Sequence, residues 1–316
     1  MRNTGTLFIV VPCYNEEEAL PETSRVLLGR VAQLVESGRV TAESRVLFVD
    51  DGSKDGTWKL ISGLREVSPY AAGLKLSRNR GHQNALLAGL LAAKDDADMA
   101  ISIDADLQDD VSVIDGFLDK YYEGFDVVYG VRSDRSSDSA FKRGTARRYY
   151  RTLRKMGVEI VPDHADCRLM SKRALQALAE FKEVNLFLRG LVPLVGFPSA
   201  TVEYPRRERK AGESKYSLKK MLALAWQGVT SMSVRPIRLI LSLGVTLLLL
   251  GIAALIAFSI VAACGHPEWQ WTIILAAIAA ACGLNLTATG IVGEYVGKVY
   301  LETKARPRYI VEDYFK

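Results

Sequence analysis

Two runs without a single charged residue occupy about half of the last third of this 316-residue chain: residues 239–264 and 269–293. Only Gly265, His266, Pro267 and Glu268 separate them. A backbone in hydrocarbon must satisfy its own N–H and C=O groups, and a single segment does that only as a helix. About 20 apolar residues suffice to cross, and each run is that long. Core helices of soluble proteins rarely run so far without a charge. The expectation is a two-helix transmembrane hairpin over residues 239–293. Arg235 and Arg238 precede it, Lys298, Lys304, Arg306 and Arg308 follow it, and the connecting loop holds no Lys or Arg. The positive-inside rule then puts both flanks in the cytoplasm. Residues 1–6 are polar and the apolar run at 7–11 is too short for a signal peptide. The preceding domain is therefore expected to stay cytoplasmic, on the inner (plasma) membrane.

The runs account for a hydrophobic content of 49% beside 24% charged residues. Net charge is a modest +5, so its meaning depends on position, and no nucleic-acid partner is expected. Cys13, Cys167, Cys264 and Cys282 show no metal-ligand spacing and read as reduced and structural. The small-residue stretch at 276–283 favours close helix packing, hence a homo-oligomer.

Residues 6–130 alternate strand-like and helix-like segments. Strands are expected at 6–11, 45–49, 73–76, 99–103 and 127–129, and helices at 16–35, 57–67 and 84–93. That alternation implies βαβ units and a mostly parallel sheet. Residues 141–155 carry seven Lys/Arg with Phe141, Tyr149, Tyr150 and Leu153 interleaved. This reads as a basic amphipathic helix against the membrane surface. Residues 216–234 place Leu218, Met221, Leu222, Leu224, Ala225 and Trp226 at helical spacing, an interfacial helix with Trp226 at headgroup level. The expected domains are 1–215 (catalytic), 216–238 (interfacial), 239–293 (membrane) and 294–316 (cytoplasmic tail).

The chemistry gathers where strands end. Residues 99–103 are apolar and stop at Asp104-Ala105-Asp106-Leu107-Gln108. In open α/β sheets, ligands bind beyond the carboxyl ends of strands. Paired acids there suit a divalent ion carrying phosphates, although an acidic turn capping the next helix has the same pattern. Three more polar groups follow strands: Pro12-Cys13-Tyr14-Asn15-Glu16, Asp50-Asp51-Gly52-Ser53 and Arg78-Asn79-Arg80-Gly81-His82-Gln83. The first also fits a turn plus helix cap, with Asn15 or Glu16 capping.

This order of blocks resembles the GT-A fold of family 2 glycosyltransferases. Later blocks narrow the resemblance to the polyprenyl-phosphate glycosyltransferases, such as bactoprenol glucosyltransferases and, more distantly, dolichol-phosphate mannose synthases. They are Tyr129-Gly130-Val131-Arg132, Ala165-Asp166-Cys167-Arg168, Arg209-Lys210-Ala211-Gly212-Glu213-Ser214-Lys215-Tyr216, Gly293-Glu294-Tyr295-Val296-Gly297 and Arg306-Pro307-Arg308-Tyr309. The family usually has Gly and Phe where this chain has Ala165 and Cys167, and Pro where it has Asp110.

The resemblance implies an inverting, metal-dependent transfer from a nucleotide-sugar, UDP-glucose-like, to a polyprenyl (undecaprenyl) phosphate. Catalytic roles fall on Asp104, Asp106 and Asp166, and a Mg²⁺ or Mn²⁺ on Asp106 and Gln108. The donor set is Pro12, Tyr14, Asn15, Glu16, Asp50, Asp51, Asp104, Ala105 and Asp106, with Arg209 and Lys215 as a mobile clamp on its phosphates. Arg132, Arg135 and Arg168 are expected at the acceptor phosphate, since guanidinium pairs bidentately with phosphate. Asp166 is left as either a base or an orienter of Arg168. Two other readings compete: a processive polysaccharide synthase, and a non-catalytic membrane scaffold or flippase partner. The Gln-x-x-Arg-Trp motif of the first is absent from the sequence, and loss of the paired acids expected of the second has not occurred.

Overall fold

The computed structural model describes residues 4–132, 164–205, 226, 228–263 and 270–316. The expected helix at 141–155, Arg135, Arg209, Lys215, Cys264 and most of 216–227 lie outside the described residues.

Strand β1 (Leu7–Cys13) is buried at every position. Side chains alternate along a strand, so Leu7, Ile9, Val11 and Cys13 enter one apolar cluster while Phe8 and Val10 enter another. A strand covered on both faces reads as a continuous apolar run, which is why residues 7–11 show no alternation. β2 (Arg45–Asp50), β3 (Ala71–Leu76) and β4 (Met99–Ser102) join β1 in parallel. Helices α1 (Leu20–Glu36), α2 (Thr57–Val67) and α3 (His82–Ala93) connect them.

α3 is buried almost all round and lies directly on β1 and β2. A Cβ on Gly89 would overlap the Val10 side chain and stand 2.7 Å from Val49 Cγ2. Helix propensity alone favours Gly89→Ala by about 1 kcal/mol. Overpacking is expected to win, with a net loss of about 1–3 kcal/mol, read as a lower unfolding midpoint in thermal denaturation; a raised midpoint would refute the close approach.

The second half is less regular. α4 (Val113–Tyr122) leads to β5 (Val127–Arg132), then β6 (His164–Ser171), α5 (Lys172–Glu180), α6 (Leu188–Leu194) and β7 (Ser199–Tyr204). The sheet order is β7-β5-β6-β4-β1-β2-β3-β8. β6 runs antiparallel to both β4 and β5, with Ser102 opposite Arg168 and Val131 opposite His164. The beginning of β6 therefore reaches the same sheet edge as the ends of β1, β2, β4 and β5.

Two long helices follow, α7 (Arg235–Ala263) and α8 (Gln270–Thr303). Leu241, Leu249, Leu250 and Ile260 of α7 and Leu286 of α8 are exposed. Among the described residues, one stretch, Arg235–Ala253, is long and apolar enough to cross a membrane. The base of α8 is fastened to the rest. Tyr295 donates to the Ser233 carbonyl at 2.6 Å, and Lys298 to Thr230 and Ser231. Glu302 accepts from the Val184 and Asn185 backbone N–H groups, both at 2.8 Å. The chain then returns as β8 (Val311–Phe315), antiparallel to β3. Phe315 covers Gly73, where a Cβ would overlap its ring, and lies 6.1 Å from the Trp58 ring. Residues 311–315 are thus the outermost strand of the catalytic sheet.

Candidate active site

Asp104 and Asp106 follow β4 in a tight turn. Gln108 donates its backbone N–H to Asp106 Oδ1 at 3.2 Å, and Leu107 between them has φ +50°. A branched side chain in that region is strained and needs surrounding structure to hold it, a pattern that gathers at functional sites. The next two acids are structural: Tyr204 donates to Asp109 at 2.6 Å, and Asp110 accepts the Ser112 N–H at 3.0 Å. The acidic turn is therefore tied into the fold at its far end and presents a cluster of carboxylates at its near end, and α4, whose cap position is Ser112, has no side-chain cap. Burial pushes the Asp104 carboxyl up to about 6; His82 opposes this, while the charges of Asp166, Asp109 and Asp106 add to it.

Among the described residues no three His, Cys, Asp or Glu side chains stand close enough to hold a metal alone. A Mg²⁺-type ion is usually held by one or two carboxylates and completed by substrate phosphates. The crowding of negative charge around Asp104 is what such an ion would relieve.

The loops after β1 and β2 are laced together. Asn15, at φ +52°, receives a hydrogen bond from Lys54 N at 2.9 Å and gives its own N–H to Ser53 at 2.9 Å. Glu16 donates its N–H to Thr57 at 2.9 Å. Neither Asn15 nor Glu16 caps α1, whose cap position is Ala19 and has no side-chain hydrogen bond. Tyr14 stands exposed beside them, a free aromatic face. Pro12 is buried in β1, and Ala105 in the core against α1.

Asp51 is turned inward. Its two oxygens accept the N–H groups of Arg80 at 2.7 Å and Gly81 at 2.8 Å, at the start of α3. Gly52, at φ +66°, lets the two loops meet; a Cβ there would stand 2.5 Å from the Arg78 carbonyl carbon. Asp50 is fully buried, one oxygen accepting Ser53 N at 3.2 Å and the other without a hydrogen-bond partner. Burial raises the pKa of both carboxyls. As placed, these two acids hold together the loops after β2 and β3, and Tyr14 is the residue that faces out.

The reversed direction of β6 brings Asp166 beside Asp104. Arg189, from α6, grips the Asp166 carboxylate bidentately, Nε at 3.0 Å and Nη2 at 2.9 Å. Arg168 adds a third contact at 3.1 Å. Burial opposes ionisation of Asp166, but the charges and hydrogen bonds of the two arginines outweigh it and hold its carboxyl well below the usual range. His82 Nε2 lies between the two acids, 3.6 Å from Asp104 and 3.9 Å from Asp166. Arg168, expected at the acceptor phosphate, is only 1% exposed. It lies inside the wall and reaches the cleft through Asp166. Arg132 closes β5 in register with Tyr204, at this same edge. Cys13 and Cys167 are buried free thiols and Cys282 is an exposed one; burial raises the Cys13 pKa.

Arg189 and His82 are the functional side chains that sequence reasoning missed as site residues. The signal for Arg189 was one cation inside the apolar stretch 186–192. His82 sat in a noticed block without a role. Together with Arg80, Gly81, Gln83, Asn84, Asp166, Val184, Leu186 and Phe187 they line a cleft of 320 Å³.

A βαβ sheet whose carboxyl edge gathers loop-bound acids, a strained D-x-D turn and a clamped carboxylate puts its polar groups where open α/β folds bind their ligands. This chain belongs to glycosyl transferase family 2, whose model matches residues 8–179. Its fold is GT-A-like, and it is a glycosyltransferase. It is 50% identical over 306 residues to the uncharacterized glycosyltransferase YkoT of Bacillus subtilis, covering 97% of this chain and 91% of that one. It is 37% identical over 308 residues to the bactoprenol glucosyl transferase of Shigella phage SfX, covering 96% and 98%. A prophage bactoprenol glucosyl transferase homolog of Escherichia coli is 36% identical over 311 residues, covering 96% and 97%.

Proposed function

We propose that this enzyme transfers a sugar, glucose from UDP-glucose first among candidates, to a polyprenyl phosphate at the cytoplasmic face of the membrane. The observation that carries the reading is the meeting of two unlike clusters at one sheet edge. One, Asp104 and Asp106, suits a departing diphosphate; the other, Asp166 with Arg168 and Arg189, suits an arriving phosphate. Full-length similarity to bactoprenol glucosyl transferases supports the choice of acceptor.

The reaction is a single displacement with inversion. A phosphate oxygen of the lipid attacks the anomeric carbon, the bond from that carbon to the diphosphate oxygen breaks, and its electron pair leaves with the nucleoside diphosphate. A Mg²⁺ or Mn²⁺ held by Asp106 and Gln108 would supply positive charge to that leaving group. A lipid monophosphate is already an anionic nucleophile, its second pKa near about 6 by analogy with phosphoserine, so it needs orientation rather than a base. Asp166, committed to two arginines, orients. In this reading Tyr14 is assigned to the base, Arg209 and Lys215 to the donor phosphates, and Arg132 and Arg135 to the acceptor.

The exposed leucines of α7 and α8 support a membrane hairpin, with residues 1–215 and the returning β8 in the cytoplasm. In this reading Trp226 and the helical residues 228–232 belong to the interfacial segment, and the small residues at 276–283 pack a homo-oligomer. A cysteine introduced by Glu268→Cys, without Cys264, is expected to react with an impermeant thiol reagent on intact cells. Labelling only after lysis would overturn the topology.

The function is tested by incubating purified protein with undecaprenyl phosphate and a panel of nucleotide-sugars, reading lipid products by mass spectrometry. A lipid-linked hexose phosphate with a β anomeric centre from an α-linked donor is expected. No lipid product with any donor would refute the acceptor, and an α-linked product would refute single displacement.

A further inference from the structure

We infer that Glu302, near the C-terminal end of α8, is a positioning residue for the active-site cleft: it holds the loop at 181–187 so that α6 brings Arg189 to Asp166. The inference rests on the reading of that cleft as the place where a lipid phosphate is received.

α6 does not fix its own place. It is seven residues long, contains Pro193, and its cap position, Phe187, makes no side-chain hydrogen bond. A helix of about two turns is marginal by itself. The loop before it, residues 181–187, is neither helix nor strand. Yet Arg189 meets both oxygens of Asp166 at 2.9–3.0 Å, and Val184, Leu186 and Phe187 line the same cleft. The position of this segment is therefore set from outside it.

Glu302 does most of that. Its Oε2 accepts the Val184 N–H at 2.8 Å, and its Oε1 accepts the Asn185 N–H at 2.8 Å and Asn185 Nδ2 at 2.7 Å. Two successive backbone N–H groups and an amide thus converge on one carboxylate, and hydrogen bonds to an ionised acceptor are roughly twice as strong as neutral ones. Asn185 Nδ2 also reaches the Lys298 carbonyl, one turn earlier on α8, at 3.4 Å. The two ends of the segment carry further ties. Arg308 donates to the Phe181 carbonyl at 2.8 Å, and Leu188 donates its N–H to Gln83 at 2.9 Å.

The chain after α8 also touches the loop after β3, which supplies Arg80 to the same cleft. The Pro307 carbonyl accepts from Arg80 at 3.4 Å, and the Ile310 carbonyl accepts the Ser77 N–H at 3.0 Å. Residues 302–310 therefore bridge two loops of the cleft, and Glu302 is the charged link to the one that precedes α6. With α8 in a bilayer, this bridge sets the height of the cleft wall against the lipid plane. An acceptor that cannot leave the bilayer needs that height fixed. Loss of Glu302 should misplace this wall and spare the donor loops, which are tied through Asn15, Glu16 and Asp51 instead.

The test uses full-length protein in nanodiscs, with the variants Glu302→Ala, Glu302→Gln and Asn185→Ala. Hydrogen exchange read by mass spectrometry follows the peptide over 181–190. Farnesyl phosphate and UDP are the binding probes, and undecaprenyl phosphate the substrate. In Glu302→Ala, exchange at 184–185 should speed up by about 10-fold or more while peptides from β1 to β4 stay unchanged. The KM for undecaprenyl phosphate should rise about 10-fold, the size of effect expected for hydrogen bonds to a charged group. Under the same conditions kcat should stay within about threefold and UDP affinity within about twofold. Glu302→Gln keeps one accepting oxygen and should recover part of the loss. Asn185→Ala removes the side-chain contact alone and should shift KM less, in the same direction. Glu302→Ala combined with Arg189→Met should be no worse than Arg189→Met alone, since residues acting through one another are not additive; losses that multiply would overturn the route through α6. A lipid KM unchanged in Glu302→Ala, or in Asn185→Ala where the former does not fold, would overturn the inference and leave the acceptor reading intact. An equal loss of UDP and lipid binding would reduce Glu302 to a general structural tie and overturn it as well. Farnesyl phosphate binding that weakens in Glu302→Ala, in an enzyme whose wild type glycosylates no polyprenyl phosphate, would uphold the positioning role and refute the acceptor reading.

Discussion

Asp106→Ala is expected to lower kcat/KM by about 10²-fold or more, the size of loss that follows removal of one group stabilising transition-state charge. Excess EDTA should do the same to the wild-type enzyme, and Asp104→Ala should be similarly damaged. The reason is placement. Asp106 sits in a turn whose Leu107 is held at φ +50°, with Asp104 beside it and two further carboxylates, Asp109 and Asp166, acting on Asp104. That much negative charge at a sheet edge is unfavourable unless a cation joins it. Steady-state assays with and without added Mn²⁺ decide it. Full activity in EDTA, or an active Asp106→Ala enzyme, would remove the metal from the mechanism.

Asp166→Ala is expected to cost about 3–5 kcal/mol of stability, the usual penalty for stripping one partner from a buried ion pair. Arg168 would be left charged at 1% exposure, with its Nη1 already lacking a hydrogen bond. Denaturant unfolding of the detergent-solubilised protein would measure the loss. Asp166→Ala combined with Arg168→Met should recover much of it, because a well-packed apolar replacement of a buried pair is often neutral or better; no recovery would show that the pair is not what holds this wall. The pH dependence has a definite sign. The folded-state pKa of Asp166 is depressed, so its contribution is complete above the unfolded value of about 3.9 and is lost as pH falls below it. Stability from this group should therefore be flat from neutral pH down to about 5 and should decline in stronger acid.

Much of the fold was legible from residue order. Strands β1 to β4 are short apolar runs ended by polar residues, and α2 and α3 lie within a few residues of their expected limits. These are local signals, because a strand covered on both faces must be apolar throughout. α1 was expected from residue 16 but begins at Leu20. The intervening residues are held by side-chain contacts to residues 53–57 instead, and such contacts leave no periodic trace. β7 was missed because it lies at the outer end of the sheet with alternate residues exposed. β8 was missed because its partner is some 240 residues away in the chain.

The candidate site divides in the same way. By itself the sequence determined that paired acids follow a buried strand, that polar groups follow three others, and that two long charge-free runs close the chain. Each is a property of neighbouring residues. Only the tertiary structure decided what those groups face. Asp51 turned inward to the start of α3, and Arg168 went into the wall. Arg189 reached Asp166, 23 positions earlier in the chain. The physical reason is the direction of β6. A strand antiparallel to β4 returns its first residues to the edge where β4 ends, and α6 then delivers a cation to the carboxylate waiting there. Strand direction and the partner of a buried charge are set by packing between distant segments, which local residue order does not carry.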